Sequence, residues 1–296
     1  MNNYILSCCS TVDLKVEKLA KRNISWKSFY FFLNGKEYLD DMFSHSITAS
    51  DFYNRMIDGD DTRTSQINTN EYFNYFESLL ETYDEIVHVT LSSGLSGSYN
   101  SAKIAVDMIK EKYPNKNVYL IDSLGASSGL GLFVDLLADK RDEGATAKEL
   151  FEYGEKLKLN IRHDFYSTDL TFYIKGGRVS KVAGFIGGIL KICPVLDMNN
   201  EGKLIPRKKA RGKIKAAEEL IANMTACAIN GRDYDGKCFI SHSDCLQEAE
   251  RLKRLLEEQF DNLKGQIEIF SIGPTIGSHS GPGTIALFYV GSERTE

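Results

Sequence analysis

The sequence predicts an α/β protein, with a parallel-sheet unit in the first half and a mixed α/β unit in the second. Two β-rich, mostly apolar runs, EIVHVTL (85–91) and NVYLIDS (117–123), are each followed by a loop of small residues and a helical pattern. That alternation implies a parallel sheet with helices on both faces. Beyond residue 160 the pattern changes. CPVLDM and KLIPRKKA flank Asn199-Asn200-Glu201-Gly202, which reads as a hairpin loop.

Taken in order, the chain starts MNNYILSCCSTVDLK, without the positive region or long apolar run of a signal peptide. The 85–91 strand leads into a helix whose apolar face is Tyr99, Ala102, Ala105, Met108 and Ile109. Tyr113-Pro114-Asn115 ends it. The second strand leads through LGASSGLG to another helix. A turn at Gly176-Gly177-Arg178 opens the second half, and a glycine-rich apolar helix is expected over 184–196. Gly184, Gly187 and Gly188 fit buried core or the wall of an apolar tunnel. After the hairpin come a helix from about Lys213, a strand at KCFISHSD, a strand with a glycine-proline loop at IEIFSIGPTIGSHSGPG, and a closing strand at TIALFYVG. A soft boundary near Asn160 gives two units, 1–160 and 161–296.

Composition supports a packed core: 42% hydrophobic and 26% charged over 296 residues. A net charge of -5 argues against general nucleic-acid or membrane-surface binding. No stretch reaches the roughly 20 apolar residues of a membrane span. The six cysteines have no CxxC spacing, so reduced thiols in a cytoplasmic protein are expected, without a metal.

The stretch SSGLSGSYNSA (92–102) leaves a strand and opens a helix. Free backbone N–H groups at such a turn, beside the positive helix end, suit an anion. The loop carries no lysine and matches neither GxxxxGK[ST] nor GxGxxG, so a small monoanion such as a carboxylate fits better than a nucleotide. A helix N-cap is the plain structural alternative. A serine nucleophile is another. Gly94-Leu95-Ser96-Gly97-Ser98 approaches G-x-S-x-G but ends in serine, and His242 and His279 lie downstream. RTSQINTNEYF (63–73) reads as a polar loop and cap holding Thr64, Ser65 and Gln66. His279 sits among turn-forming residues, within reach of a ligand head group. PRKKARGKIK (206–215) is a basic island, either a solvated face or a dock for an acidic partner or a phosphate.

Together, TSQ, SSGLSGSYNSA, GGRVSK, PVLDMNNEGKLIPRKKARG and IGPTIGSHSGPG resemble, in order and over almost the whole chain, the DegV family of bacterial fatty-acid-binding proteins. Two departures stand out. Cys9 replaces an aspartate of the family's TDSTADL, and Ile67 follows TSQ where proline is common. The resemblance implies two α/β domains with a long-chain fatty acid buried between them and no cofactor. It implies a carboxylate held by Thr64 and a loop serine, Ser96 first and Ser93 next, with His279 nearby. It implies presentation of the acyl chain to a fatty acid kinase for acyl-phosphate formation in phospholipid synthesis, with Arg178 and Arg211 as candidates for partner docking or phosphoryl contact. Palmitate and oleate are the expected ligands. A serine esterase or thioesterase using Ser96 is the rival.

Overall fold

The computed structural model describes residues 3–179 and 192–296. In chain order its strands are β1 (Tyr4–Cys9), β2 (Ile24–Lys27), β3 (Tyr30–Leu33), β4 (Lys36–Leu39), β5 (Thr62–Ser65), β6 (Glu85–Thr90) and β7 (Asn117–Asp122). There follow β8 (Ile161–Tyr166), β9 (Ile192–Met198), β10 (Leu204–Arg211), β11 (Cys238–His242), β12 (Ile267–Ser271) and β13 (Ile285–Val290). The first sheet, ordered β2-β1-β6-β7, is parallel throughout, as the strand–helix alternation requires. The second, β10-β9-β8-β13-β11-β12, is antiparallel except between β11 and β12. The expected hairpin joins β9 and β10.

The two large sheets meet across one helix, Ser127–Asp142, buried at every position from Ser127 to Asp135. A helix enclosed on all sides needs small residues where neighbours press in. A Cβ on Gly129 would lie 2.4 Å from His163 Nε2, and one on Gly131 would lie 2.6 Å from the Val12 carbonyl oxygen. The glycines of SSGLGL therefore let both sides close on the helix. One apolar core results, running from Leu6 and Val87 through Phe133 to Phe165 and Phe288. A second core fills the space between the mixed sheet and helices Gly212–Cys227 and Leu246–Gln259. Asp135, on the central helix, accepts from Arg22 at 2.9 Å and from Lys237 at 2.6 Å, and so ties the two halves together.

Three details depart from the sequence reading. Strands β4-β3-β5 form a small antiparallel sheet, so Thr64 and Ser65 end a strand instead of lying in a loop. Alternation places Thr62 inward and Arg63 outward, a four-residue signal too short to detect alone. His279 belongs to a helix, Pro274–Ser280, not a glycine-proline loop. Proline at its first turn and Gly281, at φ 69, just past its end mark its limits. The glycine-rich helix expected over 184–196 lies mostly outside the described residues, and its final residues, from Ile192, belong to β9.

Candidate functional site

A cavity of about 670 Å³ opens where β5, the loop after β6, and helix Pro274–Ser280 meet the mixed sheet. Leu91, Phe165, Met198, Leu204, Ala286 and Phe288 give it apolar walls. Thr64, Ser93, Ser96, Arg178 and His279 also line it, so folding brings these five sequence-singled residues to one chamber.

Thr64 and His279 are 215 residues apart in sequence, yet Thr64 Oγ1 and His279 Nε2 form a 2.7 Å hydrogen bond. Burial, helped by the Arg178 charge, pushes the His279 pKa down to about 4. The ring is therefore neutral at pH 7 and carries one proton. With that proton on Nε2, His279 donates to Thr64 Oγ1, and the threonine hydroxyl is free to donate into the cavity. His279 Nδ1 has no hydrogen-bond partner.

The serine loop satisfies most of its own backbone. Asp122 Oδ1 accepts from Ser93 N at 3.1 Å, Ser92 Oγ from Gly94 N at 3.1 Å, and Ser96 Oγ from Ser98 N at 3.2 Å. The Ser92 carbonyl accepts from Leu95 N and Ser96 N. The expectation of free loop N–H groups therefore fails at these positions, because a tight turn closes on its own serines and on Asp122. From this loop Ser93, Leu95, Ser96 and Gly97 line the cavity. Ser92 is buried and donates to the Gly202 carbonyl at 2.8 Å, which ties the loop to the β9–β10 hairpin.

The family model for DegV, described as uncharacterised proteins, matches residues 9–292. The chain belongs to the DegV family. A DegV domain-containing protein of Clostridium perfringens is 32% identical over 99% of both chains, and one from Staphylococcus aureus is 31% identical over 97% of this chain and 98% of its own. Among solved structures, a DegV lipid-binding protein of Thermotoga maritima superposes with a TM-score of 0.82 at 28% identity, covering 99% of this chain and 100% of its own. The fatty acid kinase (Fak) B3 protein of Streptococcus pneumoniae, solved loaded with linoleic acid, shares the fold at a TM-score of 0.81 and 22% identity, over 98% of this chain and 99% of its own.

In this DegV chain, Arg178 lines the cavity. It donates from Nε to the Leu95 carbonyl at 3.2 Å and from Nη1 to the Gly176 carbonyl, with no carboxylate among these partners. Arg211 is exposed at the end of β10 and does not line the cavity. The pairing a serine nucleophile needs is not formed: Ser96 bonds Ser98 N, His279 bonds Thr64, and His242 Nδ1 accepts from Cys245 N at 3.3 Å. Cys9 is fully buried, bonded to Thr11 at 3.0 Å, its thiol pushed up to about 11 by burial. Among the described residues, no cluster of His, Cys, Asp or Glu could hold a metal ion, and no helix is long and apolar enough to cross a membrane.

Sequence reasoning missed part of the lining: Ser127, His163, Tyr173, Thr275, Ser280 and Thr284. Thr275 and Ser280 fall within IGPTIGSHSGPG and Ser127 within LGASSGLG, but no spacing in those stretches marks them as lining, and packing brings them to the chamber.

Proposed function

We propose that the protein is a carrier that binds a long-chain fatty acid in this cavity. The supporting observation is one chamber with apolar walls and a cluster of Thr64, Ser93, Ser96, Arg178 and His279. Burying an acyl tail contributes roughly 0.8 kcal/mol per methylene, so the apolar wall dominates affinity. The carboxylate needs partners, because an unpaired buried charge is costly. Thr64, with its hydroxyl released by the neutral His279, and Ser96 or Ser93 supply them. Arg178 adds a positive charge within the same chamber. We treat 1–160 and 161–296 as the two units that enclose the ligand.

The second part of the reading is presentation of the bound acid to a fatty acid kinase, which forms the acyl phosphate, with exposed Arg211 contacting that kinase. Mass spectrometry of lipid gently extracted from the purified protein tests the first part. A C16–C18 fatty acid is the expected find. No co-purified acid and no uptake of added palmitate or oleate refutes it. For the second part, Arg211→Glu is expected to slow acyl-phosphate formation by an added fatty acid kinase, with lipid still bound. Equal rates for variant and parent sink it.

A further inference from the structure

The serine loop has two electrically different ends. At one, Asp122 Oδ1 accepts from Ser93 N and from Leu124 N, each at 3.1 Å. The bond to Leu124 N closes a side-chain turn of a kind that aspartate and asparagine both form, and it holds Leu124 at φ 47. Ser92, bonded to the Gly202 carbonyl, ties this end to the β9–β10 hairpin. At the other end, Arg178 Nε donates to the Leu95 carbonyl at 3.2 Å, next to Ser96. A Cβ on Gly97 would meet Gln66 Oε1, two residues beyond Thr64, and one on Gly176 would meet His279 Nδ1. The Gly176 carbonyl itself accepts from Arg178. Ser96 therefore stands on the side of Arg178, Thr64 and His279, and Ser93 on the side of Asp122.

Asp122 is buried, and among the described residues it has no ion-pair partner. The Arg294 guanidinium feels its charge but donates to the Lys158 carbonyl at 3.1 Å. The negative charge behind Ser93 is thus left to act on what enters the chamber. A carboxylate bonded to Ser93 would stand about one residue's width from a second carboxylate, and like charges that close repel even where water screens them in part. A carboxylate bonded to Ser96 has the Arg178 charge beside it instead. Selectivity between two seats arises as much from penalising one as from favouring the other.

We propose that Asp122 is a specificity-determining residue, whose charge holds the acid's carboxylate off Ser93 and directs it to Ser96, beside Arg178. The inference rests on the fatty-acid reading above and decides between its two candidate serines. Asp122 touches the loop and not the ligand, so it acts through its field and through the position it gives Ser93.

The test is calorimetric titration of delipidated full-length protein with palmitate and with 1-hexadecanol, whose head is neutral, both delivered from cyclodextrin. Asp122→Asn removes the charge and keeps Oδ1 to accept from both N–H groups, so the turn is retained. The variant is expected to bind palmitate about three- to tenfold tighter than the parent, with hexadecanol affinity unchanged within about twofold. In the otherwise native chain, Ser96→Ala is expected to weaken palmitate about tenfold, and Ser93→Ala less than about threefold. Palmitate no tighter in the asparagine variant overturns the proposal, as does an equal change for both ligands, which marks a purely structural role. Ser93→Ala as costly as Ser96→Ala overturns it too, and that comparison decides if Asp122→Asn does not fold. If the parent binds no palmitate, the fatty-acid reading itself fails, a result distinct from the others.

Discussion

Thr64→Val removes one hydroxyl and keeps the β-branched shape that suits β5, where Thr64 pairs with Phe31. Two interactions disappear with it. His279 Nε2 loses its 2.7 Å partner in a largely enclosed position. The bound carboxylate loses a donor aimed by that same histidine. A hydrogen bond to a charged group contributes about 1.5–3 kcal/mol, so palmitate affinity falls by about 10- to 150-fold. The unliganded fold loses about 1 kcal/mol from the neutral Thr64–His279 pair. Thr64→Ser restores the hydroxyl and most of the affinity. Calorimetric titration of delipidated proteins with palmitate measures the first effect, and urea denaturation the second. Palmitate binding by the valine variant within threefold of the parent refutes the assignment of Thr64 to the head group.

Three further outcomes follow from the geometry. His279 is held at about 4, below the 6.5 of an unperturbed histidine, so its contribution is full above pH 6.5 and is lost as pH falls through 4. The stability gap between the parent and His279→Gln, by urea denaturation, should therefore narrow from pH 7.5 to pH 4.5, and a gap that stays constant contradicts the neutral ring. Gly94→Ala places a Cβ 2.5 Å from the Glu201 carbonyl oxygen and 2.7 Å from that of Gly202, so the loop and hairpin must separate. We expect a loss of about 1–3 kcal/mol, read as a lower Tm, and an unchanged Tm would show that this contact yields freely. Asp135→Asn leaves Lys18, Arg22 and Lys237 without their shared buried carboxylate. Those cations are 20–32% exposed, so the loss is about 1–3 kcal/mol, below that for a fully buried pair. A denaturation midpoint that does not move would mean that Asp139, Asp142 and Glu268 carry the network.

The sequence by itself determined the parallel sheet. The runs 85–91 and 117–123 are apolar enough to be buried on both faces, and only strand–helix crossover covers both faces. The absence of lysine, GxxxxGK[ST] and GxGxxG from the serine loop was equally plain in the sequence. The hairpin at 199–202 was legible because a polar turn between two β-rich runs is a local signal. The small β3–β4–β5 sheet was not, because four-residue strands carry too little periodicity. The helix at 274–280 was hidden because its bounding proline and glycines read equally as a loop.

Only the tertiary structure decided what the loop does with its donors. Asp122, brought alongside by the β6–β7 pairing, and the loop's own serines take the backbone N–H groups of Ser93, Gly94, Leu95, Ser96 and Ser98. The tertiary structure likewise decided that Arg178 lines the chamber and that Thr64 and His279 touch across 215 residues. The physical reason is range. Period and turn chemistry act over a few residues, whereas a binding chamber is made of side chains that meet only when two sheets close on one buried helix.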